Sequence, residues 1–389
     1  MRILLIHNFY QYYGGEETYF HNLVKLLQNN KHEVIIYTKN SERIRTFKDK
    51  AKAALGLFWN YRTSKDLNKI IKKHKPQIAH FNNVYPLIGN TAYWICRHNK
   101  VPIIQTVHNY RFMCPKGILF RKGKICELCV KKQFPLWSVI YGCYHSSNLA
   151  SLIFSLAYYF NNLIGTYRLI DRWIFPSVFT QNYYLENLEI EKTRGVFLPH
   201  FICTEPIQKV QKKNNYYLYI GRLSEEKGIL NLLRVFKSLP YAEVKIFGQG
   251  PLNKEVEQYK KFTNIKIYGF RETKVLRKYL IKAKALIVPS LSFETFSLVT
   301  LEAKAYKVPV IVPNIGVFKK LAKDQLSYKY YNFKHLRNII MKLEKSNNIE
   351  KTFNSIKILD KDIDLNQKTY HEELINIYYD VIQCQTKKK

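Results

Sequence analysis

Two carboxylates eight residues apart, Glu294 and Glu302, lie in the stretch Pro289-Ser290-Leu291-Ser292-Phe293-Glu294-Thr295-Phe296-Ser297-Leu298-Val299-Thr300-Leu301-Glu302-Ala303. Its start reads as the end of a strand, its middle as a loop and its end as a helix, so Glu294 falls in the loop and Glu302 on the helix. Carboxylates so placed can accept hydrogen bonds from ligand hydroxyls. Backbone N–H groups at the helix start, near Ser297 and Leu298 and next to Phe296, can hold a phosphate. The plainer alternative is one loop acid and one helix-surface acid. A basic pair, Arg222 and Lys227, sits five residues apart in Gly221-Arg222-Leu223-Ser224-Glu225-Glu226-Lys227-Gly228, again between a strand and a helix. Both could reach one diphosphate, the arginine as a planar fork and the lysine as a point charge. Together they could neutralise the negative charge that develops as a phosphate leaves. Alone, such a pair is as readily a solvated basic loop. Gly14-Gly15, after the first strand, permits a tight turn and close approach of backbone N–H groups to an anion, or is a turn and nothing more.

Cys114, Cys126, Cys129 and Cys143 follow the spacing C-x11-C-x2-C-x13-C. Four thiolates with one tight pair could form a tetrahedral structural zinc site, or the four could pack as small hydrophobes. The chain holds seven cysteines, an odd number, which argues against a disulfide framework. The N-terminal Met1-Arg2-Ile3-Leu4-Leu5-Ile6-His7 has too short an apolar run for a signal peptide, lacks a small-residue cleavage site after it, and reads as a buried strand.

The elements that must position these residues alternate between strand and helix. Strand Ile3 to Phe9, helix Glu16 to Leu27 and strand Glu33 to Tyr37 make a first βαβ unit. Helix Lys65 to Lys73, strand Gln77 to Phe81, helix Thr91 to His98, strand Pro102 to Val107 and strand Arg172 to Pro176 continue it. A second series begins at strand Tyr216 to Ile220. It runs through helix Ile229 to Ser238, strand Glu243 to Phe247, helix Asn253 to Phe262, strand Ile265 to Tyr268, helix Lys274 to Ala283, strand Ala285 to Pro289, helix Val299 to Tyr306 and strand Val308 to Val312. Such alternation predicts parallel sheets covered by helices, hence an α/β fold of two Rossmann-like domains facing each other across a cleft. The expected domains are 1-205, with a Cys-rich insertion at 111-147, and 206-369, joined by a linker around Cys203 to Asn215. A closing helix and basic tail fill 370-389. The insertion follows a strand end, where ligands of open α/β sheets bind.

The chain has 389 residues, 47% of them hydrophobic, enough for two cores. Its 63 Lys and Arg against 29 Asp and Glu give a net charge of +34, a field that attracts polyanions. Residues 51 to 150 contribute 16 basic residues against two acids, Asp66 and Glu127, or +14. No nucleic-acid recognition motif accompanies the charge, so no nucleic acid is expected as partner. No run reaches the roughly 18 to 20 apolar residues of a membrane span; Leu149 to Tyr159 comes nearest and is closed by Asn161 and Asn162. The expected place is the cytoplasm, at most peripheral on the inner face of the plasma membrane. There the basic stretch, with Phe58, Trp59, Lys52, Arg62, Lys65, Lys69, Lys72 and Lys73, would meet an anionic surface.

Taken together the motifs resemble glycosyltransferase family 4, retaining enzymes of the GT-B fold. The family's E-x7-E is matched by Glu294 and Glu302, and its Gly-Arg plus Lys by Gly221, Arg222 and Lys227. Its Gly-x-Gly-Pro is matched by Gly248-Gln249-Gly250-Pro251, its Gly-Gly-x-Glu by Gly14-Gly15-Glu16-Glu17, and its strand-end histidine by His108 in Thr106-Val107-His108-Asn109-Tyr110. The resemblance implies a nucleotide diphosphate sugar donor of the UDP or GDP type. It implies sugar contact by His108 and Glu294, ribose contact by Glu302, diphosphate contact by Arg222 and Lys227, and a glycan or lipid-linked acceptor in envelope synthesis. No cofactor is required for catalysis on this reading. Where members continue with Gly-Gly and a glutamate, this chain has Asn314-Ile315-Gly316-Val317-Phe318-Lys319-Lys320. The region beyond lacks a clear apolar strand, which predicts a trimmed sheet edge or compromised activity. The competing functions are a nucleotide-sugar epimerase or phosphorylase on the same fold, told apart by acceptor dependence, and a non-catalytic basic binding protein.

Overall fold

A computed structural model of the chain describes residues 1–43, 46–203, 214–322, 326–345 and 366–386. The expected linker lies mostly outside these residues, and Lys387 to Lys389 lie wholly outside. Two compact units result: residues 1–119 and 126–201 with the closing helix form the first, and 120–125 with 202–364 the second, so far as these are described.

The first unit contains β1 (Arg2–Phe9), α1 (Gly15–Asn29), β2 (Glu33–Asn40), α2 (Phe47–Gly56), α3 (Tyr61–His74), β3 (Ile78–Asn83), α4 (Thr91–His98) and β4 (Ile103–Thr106). After the hairpin β5 (Phe120–Arg121) and β6 (Lys124–Ile125), which belongs to the second unit, come α5 (Leu136–Ile140), α6 (Asn148–Leu163), β7 (Arg172–Phe175), α7 (Val178–Asn187) and β8 (Gly195–Phe197). All neighbours in the six-stranded sheet β2-β1-β3-β4-β7-β8 are parallel. Ile3, Leu4, Leu5 and Ile6 of β1 are all buried, the continuous apolar run of a strand covered on both faces.

The second unit continues with β9 (Tyr216–Ile220), α8 (Ile229–Lys237), β10 (Glu243–Phe247), α9 (Asn253–Glu257), β11 (Ile265–Gly269), α10 (Thr273–Lys282), β12 (Ala285–Ile287), α11 (Leu298–Ala305), β13 (Val310–Pro313), α12 (Phe318–Leu321), β14 (Ser327–Tyr330) and α13 (Phe333–Lys345). Its sheet is β11-β10-β9-β12-β13-β14, parallel throughout. Counted from the unit's own first strand this is the order 3-2-1-4-5-6 of dinucleotide-binding folds, whose direction of winding reverses between β9 and β12. The edge is not trimmed: Ser327–Tyr330 pairs with Val310–Pro313 as a sixth strand. Its sequence, Ser-Tyr-Lys-Tyr, hid it, because at an edge only Tyr330 is buried.

The closing helix α14 (Gln367–Thr386) packs within the first unit. Tyr370, Leu374, Tyr378 and Val381 recur at three- and four-residue spacing and are buried. Tyr370 pairs its hydroxyl with that of Tyr19 on α1, and the Tyr378 hydroxyl lies 2.6 Å from His80 Nδ1 on β3. His80 Nε2 lies 2.7 Å from Thr106 Oγ1, at the end of β4.

Candidate functional site

In an open α/β sheet a ligand binds beyond the carboxyl ends of the strands where the winding reverses. In the second unit that place is bounded by the loop after β9, Gly221 to Gly228, and the loop after β12, 288–297. Lys227 Nζ donates to Glu294 Oε1 at 2.7 Å, and Ser290 Oγ donates to the same oxygen. Leu291 N donates to Glu226 O at 2.8 Å, tying the loops a second time. The Glu294 side chain is 10% exposed and that of Lys227 29%, so the pair stands at the mouth of the crevice and not in the core. Two glycines allow the loops to close up. A Cβ on Gly228, at φ +68, would stand 2.0 Å from Pro289 O, and one on Gly248, at φ +144, 1.8 Å from Gly221 O. Arg222 has its carbonyl held by the Tyr219 hydroxyl at 2.6 Å and its side chain exposed.

Ser297 is the N-cap of α11 but caps no backbone N–H; its Oγ pairs with Thr300 Oγ1 at 2.7 Å. The N–H groups at Leu298 and beyond are therefore without a side-chain cap, and the positive end of the helix faces the loop that carries Phe296. Glu302 follows one turn later. Burial pushes its carboxyl up to about 7, with the Arg277 charge pulling the other way.

In the first unit Gly14 caps α1, and its N–H is taken by Glu17 Oε2 at 2.9 Å, while Glu17 Oε1 accepts from Tyr10 N at 3.2 Å. The diglycine turn, with Gly15 opening the helix, is thus organised by an acid of its own motif. His108 lies just beyond β4, its Nε2 2.9 Å from Asn82 Oδ1. Burial holds its pKa well below the ordinary histidine value, and the neighbouring His200, His7 and His80 add to this. The ring is therefore neutral at physiological pH. Rings of Tyr19 and His200 stand 5.0 and 5.2 Å from it, centroid to centroid.

Sequence reasoning missed Ser290, Asn82 and His200. Ser290 stands four residues before Glu294 in the same stretch; Asn82 lies within the buried β3 and His200 just after β8, both themselves buried, and a polar residue in so apolar a setting is itself a signal. In the insertion, Cys114, Cys126, Cys129 and Cys143 are all free thiols. Burial, with the other three thiols nearby, pushes Cys129 up to about 12. Yet among the described residues no three His, Cys, Asp or Glu side chains are grouped so as to hold a metal ion. As placed, the thiols do not form a zinc site.

Residues 13–206 match the family model described as Glycosyltransferase Family 4, and residues 204–357 the one described as Glycosyl transferases group 1. The chain belongs to the GT-B glycosyltransferases of the family 4 type. An uncharacterised 41.2 kDa protein of the cps region of Klebsiella pneumoniae is 30% identical over 138 residues, 36% of this chain and 38% of that one. An uncharacterised glycosyltransferase of Methanocaldococcus jannaschii is 30% identical over 125 residues, 30% of this chain and 32% of that one. The matches thus span less than two-fifths of either relative. Among solved structures, the Anabaena protein HepE in complex with UDP-glucose superposes with a TM-score of 0.66 at 15% identity, over 98% of this chain and 100% of that one, which shows a shared fold. With that family assigned, the strand-end loops around Lys227 and Glu294 become the glycosyltransferase's donor-side candidates, and His108 its candidate on the other unit.

Proposed function

We propose that this chain is a retaining hexosyltransferase that moves a sugar from a nucleotide diphosphate donor, of the UDP or GDP type, to a glycan or lipid-linked acceptor in envelope-glycan synthesis. The observation that carries the reading is the Lys227 to Glu294 ion pair at the winding reversal of the second sheet. It sets a cation and a sugar-hydroxyl acceptor side by side where such folds hold nucleotides. HepE, of the same fold, is a structure with UDP-glucose bound, which supports a donor of this class.

On this reading the diphosphate lies against the start of α11, with Arg222 and Lys227 neutralising the charge that gathers on it as the glycosidic bond breaks. Glu294 accepts from a sugar hydroxyl, and Glu302 from the ribose. His108, neutral through burial, serves as a hydrogen-bonding partner to the sugar and carries no charge. No side chain is needed as covalent nucleophile. The departing phosphate takes the acceptor's proton on the face it leaves, the new bond forms on that same face, and the configuration is retained. The protein supplies positioning and charge. A glycosyl group and a proton change places, so no metal or redox partner enters the balance.

Glu294→Gln and Arg222→Ala are each expected to lower transfer by on the order of a hundredfold or more. The Arg222 side chain is exposed, so its variant should melt close to wild type, whereas Glu294→Gln gives up the ion pair with Lys227 and should melt somewhat lower while staying folded. For Arg222 the loss should lie in turnover. Steady-state transfer assays with an acceptor panel check both, and wild-type rates in either variant would remove the donor-site assignment. Turnover of the donor without any acceptor would favour an epimerase instead.

A further inference from the structure

The helix of the insertion, α5, and the helix that follows it, α6, expose large apolar residues where helices on a water-facing surface carry polar ones. None of the sixteen residues of α6 is charged. Its buried face carries Ser151, Ser155 and Asn161 among Phe154, Ala157 and Tyr158, whereas Leu149, Leu152, Leu156, Tyr159, Phe160 and Leu163 are exposed, Leu149 by 67% and Leu163 by 70%. Spacings of three and four residues align these six along one side, over about 24 Å of helix at 1.5 Å per residue. The short α5 repeats the inversion: Leu136, Trp137 and Ile140 are exposed, as is Tyr141 just after it, and Ser138 is buried. The helices meet through serines, with Ser138 Oγ 2.9 Å from Ser155 Oγ and Tyr144 N donating to Ser151 Oγ at 2.9 Å. Small residues between helices and large apolar ones outside is the pattern of helices packed in lipid. Monomeric proteins in water seldom expose an apolar patch of this extent without a use for it.

The end of α2 continues the patch. Phe58 and Phe160 have ring centroids 6.2 Å apart, and Asn161 Nδ2 donates to Leu57 O at 3.3 Å. α2 and the turn after it add exposed Leu55 and Trp59. Exposed Lys48, Lys50 and Lys52 lie along α2, and exposed Lys131 and Lys132 just ahead of α5; Asp49 is the one acid of α2. No described helix is long and apolar enough to cross a membrane.

We propose that α5, α6 and the end of α2 form a docking surface for an anionic bilayer, lying in its plane. The exposed leucines and aromatics enter the boundary between head groups and acyl chains, and the lysines meet lipid phosphates. Charge favours this occupant over a second copy of the chain, since a self-complementary contact would bring the same lysines towards one another. The surface does not depend on the donor chemistry.

The test is co-sedimentation of the full chain with vesicles of phosphatidylcholine alone or mixed with phosphatidylglycerol, at low and high salt. Wild type is expected to pellet with the anionic vesicles, more at low salt. The double variant Leu152→Glu/Leu156→Glu should bind them at least about tenfold more weakly. Both leucines are exposed, so its melting temperature, and any stabilisation by a nucleotide sugar, should stay at the wild-type value. Emission from Trp59 and Trp137 should also be quenched by brominated lipid in wild type. Wild type left in the supernatant under every condition overturns the proposal. So does a wild-type dimer in lipid-free solution that the double variant disperses.

Discussion

Glu294 and Glu302 share one loop-helix segment but not one environment. Glu294 is held by Lys227 and Ser290, while Glu302 has burial against it and only the Arg277 charge in its favour. In the unfolded chain the Glu302 carboxyl has its ordinary value of 4.5; in the fold it is pushed up to about 7. Between these values the folded chain keeps a proton that the unfolded chain has lost. Its contribution to stability is therefore whole below about 4.5 and is lost as the pH rises through about 7. Glu302→Gln cannot ionise, so its melting temperature is expected to gain on wild type between pH 5 and pH 8. An equal difference at both pH values would mean that the carboxyl is not buried as described. The spacing of the two acids was readable in the sequence because it is local. Their different environments were not, since Arg277 and the residues that bury Glu302 come from elsewhere in the chain.

At the scale of elements, α14 completes a polar network at the end of β4: Tyr378 meets His80, His80 meets Thr106, and His108 stands two residues beyond. Tyr378→Phe leaves His80 Nδ1 buried and unpaired, at an expected cost of about 1–3 kcal/mol in urea denaturation. A loss no greater than that of an exposed control, such as Tyr379→Phe, would mean that His80 finds another partner. Five strands of each sheet, and eight of the helices, were legible, because buried parallel strands are continuous apolar runs and their helices keep a 3.6-residue period; the short edge strand β8 was not. The sixth strand of the second sheet was hidden by its polar edge sequence, and α6 by being apolar on both its buried and its exposed side, which leaves no amphipathic period. The insertion that looked aperiodic holds a two-stranded hairpin and the short α5, with α6 following directly.

For the molecule as a whole, two parallel sheets and the family assignment are consistent with the proposed nucleotide-sugar donor. The +34 charge marks polyanions as partners without choosing among them. Under the two proposals local geometry places them: a diphosphate at Arg222, Lys227 and the start of α11, and lipid phosphates beside α5 and α6. The central claim is that the second unit holds a nucleotide diphosphate sugar at Lys227, and thermal shift with a panel of UDP- and GDP-sugars measures it most directly. A true donor at a hundred times its dissociation constant stabilises the fold by about 2.7 kcal/mol through mass action. The account predicts a rise in melting temperature for wild type with at least one donor; in Lys227→Ala, which loses the ion pair with Glu294 and starts from a lower melting temperature, the rise above the variant's own unliganded value should be largely lost, whereas Arg222→Ala, impaired in turnover, should keep most of it. No rise with any sugar nucleotide, or an undiminished rise in Lys227→Ala, would contradict it.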